Sequence, residues 1–191
     1  MNDNDIYVID TDKPYLGGNL HTIDTCGYSE SVWKYIIEKY NIKSCLDVGS
    51  GKSYAGKYIS SLVVEVTNIE GLEVNIQNAV MPTEQHDLTE GPYIKPVDLV
   101  NCIEVVEHIE EKFIHNLMST LCNGKYVLIT HALPGQEGWH HVNCQHREYW
   151  IEKFITCGYT LLEDEVSIIK NLAEKEQAYH INRSALFFKK L

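Results

Sequence analysis

A glycine turn near residue 50 is the first stretch of the sequence whose residue types could do chemistry. Gly49, Ser50 and Gly51 follow the apolar run 44–48 and precede the periodic run 54–61. Glycine lets the backbone approach a ligand where a Cβ atom would collide, and the first N–H groups of a helix lack partners within it. The turn therefore predicts a ligand site, with an ordinary strand-to-helix turn as the alternative.

Carboxylates and histidines form the second such group. Glu104, Glu107 and His108 are spaced so that on a helix their side chains can point at one site, which is a pattern that can hold a metal ion. A long loop follows, and loops of this length inside compact domains are usually functional. Its histidines could orient an acceptor hydroxyl, take its proton or complete a metal site: His131, His140 and His141.

Two known nucleotide-binding motifs contain glycines like those of this turn, but the spacing of their glycines differs from the spacing here. In the dinucleotide fingerprint the third glycine comes three residues after the second, whereas here Gly56 comes five residues after Gly51. A phosphate-binding loop ending in Lys52 and Ser53 would need a glycine where this chain has Leu46. The spacing therefore disfavours a nicotinamide dehydrogenase and excludes a P-loop protein.

The elements that must position these residues alternate along the chain. Short β-branched runs alternate with longer periodic runs, which predicts a parallel α/β sheet with ligand chemistry at the carboxyl ends of its strands. The predicted strands are 44–48, 63–69, 83–87, 98–103 and 126–130, followed by an antiparallel pair at 159–168 and 184–189. The predicted helices are 29–40, 54–61, 74–79, 111–121 and 147–157.

Length, composition and charge limit the class of protein. The 191 residues, 44% hydrophobic and 23% charged, suffice for one buried core and are too few for two ordinary domains. A formal net charge of -11 opposes binding to a long polyanion such as nucleic acid. The six cysteines form no CxxC pair, and neither a signal peptide nor a membrane-spanning run is evident, which predicts reduced thiols, no membrane partner and a cytoplasmic location.

Two stretches carry a resemblance to a known family. The stretch 46–56, LDVGSGKSYAG, resembles the first motif of class I S-adenosylmethionine-dependent methyltransferases, and 98–109, DLVNCIEVVEHI, resembles the fourth-strand motif of their small-molecule members. With the ends of the second and third strands, these motifs cover residues 44–110. The resemblance implies an α/β fold with a Rossmann-like, doubly wound, mostly parallel seven-stranded sheet, helices on both faces and an antiparallel C-terminal strand. It also implies S-adenosyl-L-methionine as cofactor and S-adenosyl-L-homocysteine as product.

The same resemblance assigns roles to residues at the strand ends. Glu70, after the second strand, would accept hydrogen bonds from the two ribose hydroxyls, and Asp87, after the third, would contact the adenine amino group. Residues 101–105 would line the methionine side of the pocket. The full set implied for cofactor binding is Asp47, Gly49, Ser50, Gly51, Glu70, Gly71, Asp87, Leu88, Ile103 and Glu104.

Catalysis is assigned to the loop histidines, and no residue is assigned to a metal. Our candidates beside the acceptor are His131, His140 and His141. RNA 2'-O-methyltransferases that act on small RNAs are similar in using the ExxEH pattern, with a further histidine, to hold a divalent ion. Many metal-free relatives instead use the Glu–His pair to fix the loop, and we favour that interpretation for Glu107 and His108, with a divalent metal as the alternative.

The predicted function is methylation of the oxygen of a small molecule such as a sugar, because a histidine-rich loop can deprotonate a hydroxyl. An RNA 2'-O-methyltransferase with a divalent metal is the enzyme alternative, and the acidic charge opposes it. A cofactor-binding module that regulates a partner without catalysis is the other alternative. The oligomeric state does not follow from the sequence.

One methyltransferase domain is predicted over residues 1–191, with 1–40 as an N-terminal lid and helix and 41–191 as the Rossmann-like core. Gly17, Gly18, Asn19 and Asp24 suggest a hinged lid over the cofactor. The HHVNCQ and YW stretches of 140–150 also resemble a poorly characterised group of viral and bacterial methyltransferases. With that group the similarity spans most of the chain.

Overall fold

A single seven-stranded sheet organises the part of the chain that the computed structural model describes, which is residues 7–8, 12–16, 19–20 and 23–191. The strands are β1 Ser44–Val48, β2 Glu65–Glu70, β3 Thr83–Gln85, β4 Val97–Cys102, β5 Gly124–Ile129, β6 Tyr159–Leu161 and β7 Leu186–Lys190. Their order across the sheet is β3-β2-β1-β4-β5-β7-β6. A separate antiparallel ribbon pairs Tyr7–Val8 with Asn19–Leu20.

Strand direction confirms the predicted Rossmann-like sheet. Strands β1 to β5 are parallel, and β7 lies antiparallel between β5 and β6. The chain moves outward from β1 to β3 and then returns to the other side of β1 with β4. Connections leave β1 and β4 in opposite directions at this reversal, and the crevice between their carboxyl ends is where such sheets bind ligands.

Helices cover both faces of the sheet, as predicted. They are α1 Glu30–Tyr40, α2 Tyr54–Ser61, α3 Glu73–Gln77, α4 Ile114–Leu121, α5 Arg147–Thr156, α6 Glu163–Lys175 and α7 Tyr179–Ser184. Helices α1, α2, α6 and α7 pack on one face, and α4 and α5 pack on the other. Short 3-10 turns at Val106–His108 and Glu111–Phe113 precede α4. No helix in the described residues is long and apolar enough to cross a membrane.

The strands are buried on both sides, which explains their nearly continuous apolar sequences. Along β4, Leu99 packs into the core beneath α1 and α6, whereas Val100 packs into the core beneath α4 and α5. In β5, Leu128 packs into the same core as Leu99, and Val127 packs into the same core as Val100. Burying each such side chain contributes about 1.5–3 kcal/mol, so the two cores hold the central strands in place.

The prediction of a strand over 159–168 was wrong beyond its third residue. Strand β6 ends at Leu161, and helix α6 follows from Glu163. Val166, Ile169 and Ala173 are its buried residues, at helical spacing. Its β-branched residues favoured the strand interpretation, but three acidic residues in the first turn stabilise a helix start. Helix α7, also unpredicted, completes the connection to β7.

A buried polar chain links α1 to the two strands that flank the crevice. The Trp33 Nε1–H donates to Asn101 Oδ1 at 3.0 Å, and Asn101 Nδ2 donates to Asp47 Oδ1 at 2.7 Å. Because the indole nitrogen can only donate, it orients the amide so that the NH2 group faces the carboxylate. The chain therefore fixes the Asp47 side chain at the end of β1.

Replacing Asn101 should destabilise the fold more than replacing an exposed asparagine. Asn101→Ala would leave the Trp33 indole and the Asp47 carboxylate buried with one partner fewer, at an expected cost of about 2–3 kcal/mol. Asn171→Ala, at an exposed position of α6, is the matched control and should cost about 0.5 kcal/mol or less. Urea denaturation measures both free energies of unfolding, and equal costs would contradict the structural role of the chain.

Candidate functional site

A cavity of about 410 Å3 opens at the carboxyl ends of β1, β2 and β4. Its wall includes the turn after β1, the end of β2, the segment after β4 and part of the loop after β5. Its volume is typical of small-molecule sites. Nine of the residues predicted for cofactor binding line it: Asp47, Gly49, Ser50, Gly51, Glu70, Gly71, Leu88, Ile103 and Glu104.

The glycine turn has the backbone conformation that its sequence predicts. The φ angles are +63° at Gly49 and +54° at Gly51, in the left-handed region that favours glycine. A Cβ atom on Gly49 would lie 2.5 Å from Cγ2 of Val105, so a side chain there would collide with the segment after β4. The Ser50 N–H donates to the Ile69 carbonyl at 3.0 Å and ties the turn to β2.

Two buried carboxylates lie beside this turn. Glu70 accepts hydrogen bonds from the Gly51 N–H at 2.7 Å and from the Leu72 N–H at 2.9 Å. Burial raises the pKa of Glu70 to about 7, although these N–H groups oppose the shift. Burial also raises the pKa of Asp47 to about 6, against the effect of the Asn101 amide. Asp47 lines the cavity, and its Oδ2 is buried without a hydrogen-bond partner.

Asp87 is the one predicted cofactor residue that does not line the cavity, although its neighbour Leu88 does. Its Oδ1 accepts from the Thr89 backbone N–H at 2.9 Å and from the Thr89 hydroxyl at 2.7 Å. Its Oδ2 accepts from Lys13 Nζ and from the Tyr15 hydroxyl, each at 3.0 Å. The contact of Asp87 with adenine therefore stays a prediction. In the free chain, residues of the N-terminal segment already contact this carboxylate.

The segment 12–16 lies against the cavity and contacts both of its sides. Tyr15 and Leu16 line the wall, and the Trp139 indole N–H donates to the Pro14 carbonyl at 2.9 Å. A Cβ atom on Gly71 would lie 2.3 Å from Cδ2 of Leu16, so a side chain there would have to displace the end of the leucine. Of the predicted hinge, Gly17 and Gly18 lie outside the described residues.

The segment after β4 and the loop after β5 bring together Glu107, His108 and His141. One ligand atom from each lies within 4.8 Å of the others, a spacing that could hold a metal ion. Both carboxylate oxygens of Glu107, and Nδ1 of His108, are buried without a hydrogen-bond partner. Burial, with the nearby charge of Glu104, raises the pKa of Glu107, and burial together with the other histidines lowers that of His108 to about 4.

Glu104, the first residue of the ExxEH pattern, belongs to a different cluster. One of its oxygens accepts from the Thr130 hydroxyl at 2.8 Å, and the other lies 3.4 Å from His180 Nδ1 and 3.6 Å from Arg183 Nη2. Asp24 Oδ2 lies 3.3 Å from the same His180 nitrogen. The sequence reasoning missed His180 and Arg183, because their approach to the cavity depends on the unpredicted helix α7.

The three predicted catalytic histidines separate in space. His141 lines the main cavity. His140 does not, and its ring centroid lies 6.4 Å from that of Tyr15. His131 is buried, its backbone N–H donates to the Ser184 hydroxyl at 3.1 Å, and its side chain lines a second cavity. The structure thus brings His141 alone of the three to the wall of the main cavity.

Comparison with known sequences finds a partial match. No protein-family model matches this chain. The ubiquinone biosynthesis O-methyltransferase of Rickettsia typhi is 36% identical over 103 residues, which are 44% of this chain and 42% of that protein. The chain therefore spans less than half the length of this relative.

Comparison with solved structures extends over most of the chain. Magnesium protoporphyrin IX methyltransferase of Synechocystis PCC 6803 with bound S-adenosylmethionine has a TM-score of 0.59 at 13% identity, with 85% of this chain and 77% of that chain covered. A [4+2]-cyclase has a TM-score of 0.56 at 13% identity, with coverages of 84% and 80%. Similarity at this identity concerns the fold, and proteins named for two different reactions share it. The chain therefore has the class I S-adenosylmethionine-dependent methyltransferase fold, as its motifs predicted.

Proposed function

We propose that this chain is an S-adenosylmethionine-dependent methyltransferase that methylates the oxygen of a small molecule, with a sugar hydroxyl as the favoured acceptor. The observation that carries the proposal is a single cavity whose wall contains the buried carboxylates of Asp47 and Glu70 as well as His141. Similarity to an O-methyltransferase over 103 residues supports oxygen as the acceptor atom. The net charge of -11 favours a small acceptor over nucleic acid.

The residues around the glycine turn fit the cofactor. Asp47 Oδ2, buried and without a partner, can accept a hydrogen bond from an ammonium group. Each oxygen of Glu70 accepts one backbone N–H and has capacity left for a ribose hydroxyl. Gly49 and Gly51 let the backbone approach closely. When bound, S-adenosylmethionine would supply a methyl group on a sulfonium, and the carbon–sulfur electron pair would stay on sulfur as the acceptor oxygen bonds to carbon.

His141 is the residue that we assign beside the acceptor. An alcohol hydroxyl is a weak nucleophile until its proton leaves, and an imidazole nitrogen can take that proton. The Nδ1 atom of His141 lies 3.2 Å from the Gln136 carbonyl, which would hold the ring and leave Nε2 for the acceptor. Tyr15, Leu16 and Trp139 would exclude water from the same space.

A divalent cation at Glu107, His108 and His141 is the second candidate for activating the acceptor. It is favoured by the two unpartnered oxygens of Glu107, because a buried carboxylate without hydrogen bonds is costly unless a cation accompanies it. A bound cation there would lower the pKa of an acceptor hydroxyl. This arrangement also keeps an RNA 2'-O-methyltransferase as the enzyme alternative, for which salt-sensitive RNA binding would be the diagnostic result.

The N-terminal segment is proposed as a lid within one domain of residues 1–191. Two sets of contacts support this proposal. Lys13 and Tyr15 contact Asp87, which follows β3, and Pro14 contacts Trp139, which lies in the loop after β5. Cofactor entry would then require these contacts to open. A non-catalytic regulatory module would bind the cofactor in the same way but transfer no methyl group to any acceptor.

Cofactor affinity should rise with pH through about 7, because a ribose hydroxyl donates to the charged form of Glu70 and that carboxyl has a pKa of about 7 in the free chain. Below this pH, affinity for S-adenosylhomocysteine should fall by up to about tenfold per pH unit. Glu70→Gln should weaken binding above pH 7 and flatten this dependence. Isothermal titration across this range measures the effect, and a dependence unchanged by Glu70→Gln would contradict the assignment.

The stability of the free chain should change with pH in the opposite direction. Since the folded pKa of Glu70 lies above its ordinary value of 4.5, the folded state retains a proton that the unfolded chain releases. Stability is therefore lost as pH rises from about 4.5 to about 7, and Glu70→Gln should remove this contribution. Glu73→Gln, on the exposed first turn of α3, is the control that should leave both curves unchanged.

Metal binding separates the two candidates for acceptor activation. If a cation site exists, titration of the metal-stripped chain with Mn²⁺ should show saturable binding, and Glu107→Gln or His141→Gln should weaken it by at least about tenfold. His115→Gln, on the exposed side of α4, is the control and should leave binding unchanged. Absence of binding, with methyl transfer surviving a chelator, would leave His141 as the proton acceptor.

A further inference from the structure

A second cavity, of about 280 Å3, takes no part in the proposed reaction. Four elements converge on it: the end of β5 with His131, the start of α5 with Arg147, the middle of α6 with Lys170, and α7 with Arg183. Arg183 also lines the main cavity, so the two cavities share one residue. Helices α6 and α7 therefore build a site that the sequence did not reveal.

The lining of this cavity is cationic although the chain is acidic. Arg147, Lys170 and Arg183 are positive, and Glu148 is the carboxylate among the residues that line it. The whole chain carries a formal net charge of -11, so a chance surface concavity would be expected to be acidic. The charges of Arg147 and Lys170 come from two separate helices, whereas the guanidinium of Arg183 lies 3.6 Å from Glu104.

Lys170 shows that this charge is incompletely compensated. Its ammonium donates to the Arg183 carbonyl at 3.1 Å, and among the described residues no carboxylate oxygen lies within 4.0 Å of it. Burial and the charge of Arg147 lower the pKa of Lys170, and the nearby charge of Glu163 opposes this shift. Burial chiefly, with a contribution from these two cations, lowers the pKa of His131. A bound anion would reduce this repulsion.

The Arg147 guanidinium has donors left for such an anion. Arg147 Nη2 pairs with Glu163 at 2.7 Å in an exposed position, and Arg183 Nη2 lies 3.6 Å from Glu104. A guanidinium carries five N–H donors, so one carboxylate does not satisfy either group. Helix α5 also begins at this cavity, and its cap residue His146 makes no side-chain hydrogen bond to the first turn. The unpaired N–H groups of a ten-residue helix add further donors for an anion.

We propose that this second cavity binds a phosphoryl group, carried by a phosphate monoester or present as inorganic phosphate. A dianion with several acceptor oxygens matches the Arg147 guanidinium, the Lys170 ammonium and a helix N-terminus better than a monoanionic carboxylate does. Because Arg183 lies between the two cavities, an acceptor held in the main cavity could place its phosphoryl group in the second. Binding of phosphate itself does not depend on methyl transfer.

Phosphate titration of the full chain at constant ionic strength tests the site. Saturable binding is expected, and Lys170→Gln and Arg147→Gln should each weaken it by roughly tenfold, the effect of losing one charged hydrogen bond. Lys175→Gln, an exposed lysine on the same helix as Lys170, should leave it unchanged. Arg147 is itself partly exposed, so its replacement tests the site even if Lys170→Gln perturbs folding.

The source of the phosphoryl group is distinguished by a second titration. A hexose phosphate that binds at least about tenfold more tightly than inorganic phosphate in the presence of S-adenosylhomocysteine would identify a phosphorylated acceptor. Equal affinities would identify free phosphate as the ligand of the same site. Absence of saturable phosphate binding, or equal weakening by Lys170→Gln and Lys175→Gln, would overturn the proposal whether or not the chain transfers methyl groups.

Discussion

The buried carboxylate of Asp47 lies at the end of β1, beside β4. The rest of the site depends on how the fold stabilises this carboxylate. A charge in this position is costly, and burial raises its pKa to about 6. The amide of Asn101 lowers that cost on one oxygen, and the Trp33 indole fixes the orientation of the amide. The second oxygen stays unpartnered at the cavity wall. The fold thereby keeps an incompletely hydrogen-bonded carboxylate at the centre of the crevice.

The acidic residues around the cavity are divided among separate environments. Glu70 accepts from backbone N–H groups, and Glu104 accepts from Thr130 and lies near Arg183 of α7. Glu107 is not part of the cavity wall, and its carboxylate oxygens have no hydrogen-bond partner. Glu104 and Glu107 are three residues apart, but Glu104 has a φ of +55°, so the segment is not a regular helix at that point. Their side chains consequently reach different partners, and each site can have its own electrostatics.

The proposed N-terminal lid contacts parts of the chain that are distant from it in sequence. Lys13 and Tyr15 contact a carboxylate at the edge of the sheet beyond β2, whereas Pro14 contacts the indole of Trp139, in the loop after β5. Each is a polar contact at a partly exposed position, where the net free energy of one bond is small. Among the described residues, these contacts join the segment 12–16 to both sides of the cavity, which supports the proposed lid.

The sequence by itself determined the glycine turn, the buried carboxylates and the central strands, because these depend on local spacing and on apolar runs buried on both faces. The prediction from sequence was wrong for the end of β6 and for helix α6, because β-branched residues occur in strands and in helices. The packing of Val166 and Ile169 into the core decided in favour of the helix. Only the tertiary structure separated Glu104 from Glu107, joined His108 to His141, and brought His180 and Arg183 to the cavity. Those contacts join residues far apart in the chain, and no local pattern in a single sequence encodes which of them will meet.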